Sequence, residues 1–151
     1  MDITEKYAQR IAEATPLQLV IILHELIIEY INDGASKSDI DKACSFLGEL
    51  FSSLNMDMPI AEDLANLFLF VNRLLIRAKL TRKDDEKNQL LADGRKIISG
   101  LLNSWEELEK NDDLENTIFN NPQQIFAGLT YEKGGKLSEF LDDDPNRGYK
   151  V

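Results

Sequence analysis

Cysteine, histidine and tryptophan each occur once in 151 residues, and proline only four times. A lone cysteine, Cys44, excludes an internal disulfide, and no succession of charged, apolar and small residues opens the chain as a secretory leader would. Both absences point to a reducing cytoplasmic compartment. Long apolar runs are missing too. The longest strongly apolar stretch, Leu17 to Ile31, is 15 residues and is interrupted by Gln18, His24, Glu25 and Glu29, whereas a membrane-spanning helix takes about 20 apolar residues. Basic residues are scarce: 17 Lys and Arg against 27 Asp and Glu leave a formal charge of −10. That charge repels phosphate backbones and anionic lipid, and no cluster of lysine or arginine with interleaved aromatics compensates. Neither nucleic acid nor a membrane surface is expected as a partner.

The machinery of catalysis is equally sparse. His24 beside Glu25, with Glu29 four residues on, has the look of a carboxylate and imidazole metal site inside a bundle. A di-iron carboxylate bundle of the ferritin-like kind needs two Glu-x-x-His motifs and two further inward glutamates. One histidine cannot supply them, so no metal or other cofactor is expected. Cys44 falls on an inward helix position and reads as a small core hydrophobe, not a nucleophile. Gly134-Gly135-Lys136 lacks the glycine spacing and the preceding strand of a phosphate loop. The chain does not read as an enzyme.

Helical patterning fills residues 1 to 110, punctuated at Pro16, Gly34 to Ser38, Pro59 and Thr81 to Asp85. A short N-terminal segment places Ile3, Tyr7 and Ile11 on one face of a marginal helix or arm. Thr15 is expected to cap the next helix with Pro16 at its first position, and Gly34 to end it. Ser38 or Asp39 is then expected to cap a helix to Asn55, with Ile40, Cys44, Leu47, Phe51 and Leu54 inward. Pro59 opens another, whose core stripe reads Ile60, Leu64, Leu67, Val71, Leu74, Leu75 and Ala78. The last starts near Asp84 and turns Leu90, Leu91, Ile97, Ile98, Leu101, Trp105 and Leu108 inward, with Gly94 and Gly100 costing some helix stability. Four long helices with short connections imply an all-α, antiparallel four-helix bundle over residues 1–110. Residues 111–151, with Asn121-Pro122, Gly134-Gly135 and Asp142 to Asp144, read as an acidic flexible extension. A hairpin over Ile125 to Leu141 is a weaker alternative.

Two helices carry more apolar surface than a bundle core needs. Placed at helical steps, Gln18, Glu25, Glu29 and Asn32 fall together and leave an apolar arc of roughly 260° on the first long helix, against the usual stripe of a little over 100°. Leu19, Val20, Leu23, Ile27, Tyr30 and Ile31 fill one side of it, and Leu17, Ile21, His24 and Ile28 the other flank. In the Pro59 helix Ala65, Leu69, Ile76 and Leu80 form a second stripe roughly opposite the first. Either the chain covers these surfaces itself or a partner helix does. Periodicity alone leaves burial and binding evenly matched.

The order of local motifs resembles a known family. Lys6-Tyr7-Ala8-Gln9, then Ala14-Thr15-Pro16 leading into Leu19 to Leu23, is similar to the opening of FliS, the flagellin-specific export chaperones. The resemblance continues through Asp39 to Asn55, through Leu64 to Lys79 and through Asp84 to Trp105, covering about residues 5 to 108. There are departures: a usual tyrosine is His24, a usual Gly-Ala is Leu26-Ile27, a tyrosine pair is Phe68 and Phe70, and a second arginine is Leu74. They make the surface more apolar and remove hydroxyls and a charge.

The resemblance implies a helical bundle that binds the disordered C-terminal region of flagellin in the cytoplasm, holds it unpolymerised and delivers it to the type III export gate at the membrane. On that reading Ile21, His24 and Ile28 from the first long helix, with Leu69 and Ile76 from the Pro59 helix, are the client-binding candidates, chosen by facing. Tyr7 is carried over as the residue for export-gate recognition or for an arm covering the groove, with Trp105 assigned to the core. The rival reading is a structural or regulatory bundle that pairs with itself as a homodimer through the same apolar strips.

Overall fold

The computed structural model describes residues 3–111 and 118–119. The flexible extension and hairpin expected beyond Asn111 lie outside the described residues, apart from Ile118 and Phe119. Six helices follow one another: α1 (Ile3–Lys6), α2 (Ala8–Glu13), α3 (Pro16–Tyr30), α4 (Lys37–Ser53), α5 (Ala61–Leu80) and α6 (Asp84–Asn111). The four long ones make the expected bundle. Helix α3 packs on α4 and α6, and α5 packs on the same two, so α3 and α5 stand on opposite corners. The short α1 and α2 form an arm that lies on α3.

Local chemistry accounts for the helix ends. Thr15 caps α3 with a full capping box: its hydroxyl accepts from Gln18 N–H at 3.2 Å and Gln18 Oε1 accepts from Thr15 N–H at 2.9 Å. The cap of α4 is Ser36, two or three residues before the expected Ser38 or Asp39, because Asp39 serves better at the third helical position, where it accepts the Ser36 N–H. Gly34 turns the chain after α3 at φ 79°, a conformation that favours glycine. Arg95 of α6 ties this corner down, donating to Ile31 O at 2.7 Å and to Asp33 Oδ1 at 3.1 Å.

Two helices are rotated from the expected facing. In α4 the buried residues are Ile40, Ala43, Phe46, Leu47 and Leu50, while Cys44 is half-buried and Phe51 exposed. Phe46 decides this: its ring packs against Tyr30 of α3 with centroids 5.6 Å apart, and Ala43 lets the helices approach. In α5, Ala61, Ala65 and Phe68 are inside, whereas Ile60 and Leu67 are outside. In α6, Leu90, Leu91, Ile98 and Trp105 are buried as expected, and Ile97, Leu101 and Leu108 are partly buried against the core.

The two glycines of α6 differ. A Cβ on Gly94 would stand 3.3 Å from Leu75 Cδ2, whereas one on Gly100 would meet nothing within 4 Å. Gly100→Ala is therefore expected to stabilise the fold by about 0.5–1 kcal/mol and to raise the melting temperature by about 2–4 °C. Gly94→Ala gives less, because Leu75 must shift to admit the methyl group. Calorimetry on both variants checks the difference, and an equal gain would contradict the packing described.

Candidate functional site

The polar edge of α3 is where the arm docks. Tyr7, at the break between α1 and α2, is buried, and its hydroxyl donates to Glu29 Oε2. Lys6 Nζ reaches Glu29 Oε1 at 3.0 Å and Arg10 reaches Glu25 Oε1 at 2.7 Å, with the Arg10 guanidinium 5.2 Å from the Tyr7 ring centroid. Burial, reinforced by the neighbouring Glu29 carboxylate, holds the Tyr7 hydroxyl above its ordinary pKa. Burial alone would raise the Glu29 pKa too, but the hydrogen bonds from Tyr7 and Lys6 outweigh it and keep the carboxyl below its ordinary value. Both ion pairs are substantially exposed and contribute little. The Tyr7 ring is the main anchor.

The flank of α3 that carries His24 faces α6. His24 is fully buried. Its Nδ1 lies 2.8 Å from Val20 O, and Trp105 Nε1 donates to its Nε2 at 3.1 Å. The tautomer is thereby fixed: Nδ1 carries the proton and Nε2 is the acceptor. Both polar atoms are satisfied, which is what permits a histidine in this position. Phe68 of α5 stands 6.1 Å from the His24 ring, and Trp105 meets it edge-on at 5.9 Å. Phe119 closes the cluster against Trp105 at 5.6 Å and Phe68 at 6.5 Å.

The structure separates the candidates drawn from sequence. Ile21 is 4% exposed and lines a cleft of about 360 Å³ between α2, the start of α3 and the end of α6. Its rim is Arg10, Glu13, Gln18 and Glu109. Ile21 and His24, expected to face a partner, are interior here, because α6 and the arm already cover that flank. Ile28 is partly buried against the core. Leu69 and Ile76, by contrast, are 40% and 42% exposed, and Leu80 next to them in the stripe is 69% exposed. Ala65, placed in that stripe from sequence, is buried. The surplus on α3 is thus burial, and the surplus on α5 is surface.

Sequence reasoning missed Phe68 and Phe119 as members of the His24 cluster. The signal for Phe119 was small but present: Ile118-Phe119 is an isolated apolar pair in the polar stretch from Asn111 to Pro122. Burial, with Asp41 adding, pushes the Cys44 thiol up to about 11, away from the thiolate that a nucleophile uses. No group of three or more His, Cys, Asp or Glu side chains among the described residues is placed to hold a metal ion. No helix among them is long and apolar enough to cross a membrane.

The described residues thus form an all-α bundle with a docked arm, an exposed apolar strip on one helix and a buried histidine satisfied by internal hydrogen bonds. The family described as flagellar protein FliS matches residues 3–112, and the chain belongs to it. It is a family of flagellar export chaperones, not of enzymes. No curated protein and no solved structure gives a significant match.

The buried imidazole sets a pH dependence. Burial lowers His24 to about 4, the bond to Val20 opposing this only in part, whereas an unfolded histidine titrates at about 6.5. Between those values the unfolded chain binds a proton that the folded chain refuses. The stabilisation is complete above the unfolded value and is lost as pH falls toward the folded one. From pH 7 to pH 5 the protein is expected to lose about 2 kcal/mol more stability than His24→Gln, which keeps an acceptor for Trp105. Urea titrations at the two pH values measure this, and parallel losses would refute it.

Proposed function

We propose that this chaperone binds the C-terminal region of flagellin in the cytoplasm through the exposed apolar strip of α5, keeps it from polymerising, and hands it to the type III export gate. The observation that carries the reading is Leu69, Ile76 and Leu80 left uncovered on one face of a helix whose other face is core. An amphipathic client helix laid along that strip buries its own apolar face in the same step. Arg73 and Arg77 stand on the same helix beside the strip and suit acidic positions of a client.

Ile21, His24 and Ile28 enter this reading differently. Ile21 becomes available to a client only when the arm lifts from the cleft, and Ile28, partly buried on α3 at the corner opposite α5, is reached only by a client that continues around the bundle. His24 shapes the site through Trp105. Tyr7 is assigned to the arm, as the anchor that covers α3 in the resting chaperone, and the freed arm offers it to the export gate.

The test is titration of a synthetic peptide of the flagellin C-terminal region from the source organism. Binding at one to one and a raised melting temperature are expected, since the peptide binds only the folded state. Leu69→Asp with Ile76→Asp, both exposed, is expected to weaken binding by about tenfold or more while leaving the fold intact. Absence of binding to the wild-type chain at micromolar peptide sinks the proposal. If the chain instead sediments as a dilution-sensitive dimer through the same strip, the self-pairing reading takes its place.

A further inference from the structure

The residues that match the family end at 112, yet Phe119 is 3% exposed against the bundle. Two kinds of contact hold it. Ile118 O accepts from Asn55 N–H at 2.7 Å, and Leu54 and Phe119 pair as an isolated antiparallel bridge. The Phe119 ring fills the space beside Phe68 and Trp105. The receiving site is thus a short backbone edge after α4 with an aromatic pocket beside it, and it takes an extended segment by its main chain and one ring. That differs from the strip on α5, which suits a helix.

We infer that Ile118-Phe119 is an internal occupant of a second client subsite, one that accepts an extended aliphatic-aromatic segment, and that the client displaces it. The inference rests on the flagellin-chaperone reading for the identity of the competitor, but not for the existence of the subsite. Two features set how firmly the occupant is held. Among the described residues it is held by the Ile118–Asn55 hydrogen bond, the bridge to Leu54 and the packing of Ile118 and Phe119 on the core, and the segment must be ordered to make these contacts. Only six residues separate it from the end of α6, so its local concentration at the pocket is of millimolar order. It therefore holds the pocket against weak competitors and yields to a client that also gains the α5 strip.

The polar atoms of the cluster do not depend on this ring. His24 and Trp105 satisfy each other directly, and each packs against helices of the bundle. Removing Phe119 opens one side of Trp105, so the indole reports on occupancy.

The experiment uses the full chain in two forms. In the first, Phe119→Ser vacates the pocket, and emission of the single tryptophan shifts to the red. A peptide of residues 114–123, added in trans, is then expected to reverse the shift saturably, with no flagellin present. Failure to reverse it overturns the subsite. In the second, a protease site placed at 114–115 is cut after folding, which removes the tether. On dilution to micromolar concentration the segment leaves, and Trp105 emission changes as in Phe119→Ser. This second form keeps the test decisive if Phe119→Ser does not fold.

For either form, the flagellin C-terminal peptide is expected to bind about tenfold more tightly than to the intact chain. Unchanged or weaker binding shows that Phe119 is a fixed part of the core or of the binding platform, and overturns the proposal. A saturable response to the 114–123 peptide with no flagellin binding by any form separates the outcomes: the subsite stands and the flagellin reading falls.

Discussion

Helix α3 sets the terms for everything around it. Its sequence offers water a single narrow edge, Gln18, Glu25 and Glu29, continued by Asn32 just past its end, and most of the rest must leave solvent. A helix on a flat surface or at the rim of a bundle buries a little over 100° of its circumference. Covering far more requires neighbours on several sides, and α3 has them: α4 over the Tyr30 flank, α6 over the His24 flank, and the arm over the polar edge itself. Once α4 and α6 are committed to α3, α5 is left the diagonal corner. There it touches the same two helices from the far side and keeps one face free. The exposed strip of Leu69, Ile76 and Leu80 thus follows from the demand that α3 makes on the other helices.

The same demand explains the buried histidine. An imidazole inside a bundle is tolerated only if both nitrogens find partners without charge. Val20 supplies an acceptor one turn back, and Trp105 supplies a donor from α6. The pair fixes the register of α3 against α6 more sharply than aliphatic packing does, because a slip of one residue orphans both groups at once. The usual family tyrosine at this position carries a hydroxyl instead, so the resemblance alone gives no reason to expect a bond between an indole and an imidazole. One end of the bundle is consequently built of rings, His24, Phe68 and Trp105, open on one side where Phe119 now sits.

The legibility of the sequence varied with the kind of information required. Helix number, order and most of the ends rest on local chemistry, such as Thr15-Pro16 or Gly34, and local chemistry is written in the chain. Facing is less local. In α4 a stripe through Cys44 and Phe51 is as good a helical pattern as the one through Ala43, Phe46 and Leu50, and only the Tyr30 ring across the interface decides between them. The candidate site shows the same limit. Periodicity found surplus apolar surface on α3 and α5 alike but had no means of telling a helix surrounded by its own chain from one that is not. Phe119 was hidden for another reason. A contact made by two residues has no period, and its meaning lies wholly in the Leu54–Asn55 edge it meets more than sixty positions earlier.

A chaperone for export has to bind an apolar segment and then give it up, and the distribution of apolar surface bears on how this chain would do both. A groove left wholly bare would bind tightly and invite association between copies. A groove filled by core side chains would not bind at all. Here the surplus is divided: one strip on α5 is left bare, while two further places are covered by single aromatic residues, Tyr7 and Phe119. Each cover is reinforced by polar links, exposed ion pairs in one case and the Ile118–Asn55 backbone hydrogen bond in the other. On the proposed reading both stay tethered, so each recloses when a client lets go, with no second molecule required. Affinity for a client is then the difference between its own contacts and those of the covers it displaces. That difference can be modest even when the buried apolar area is large, which is the condition that giving up a client imposes.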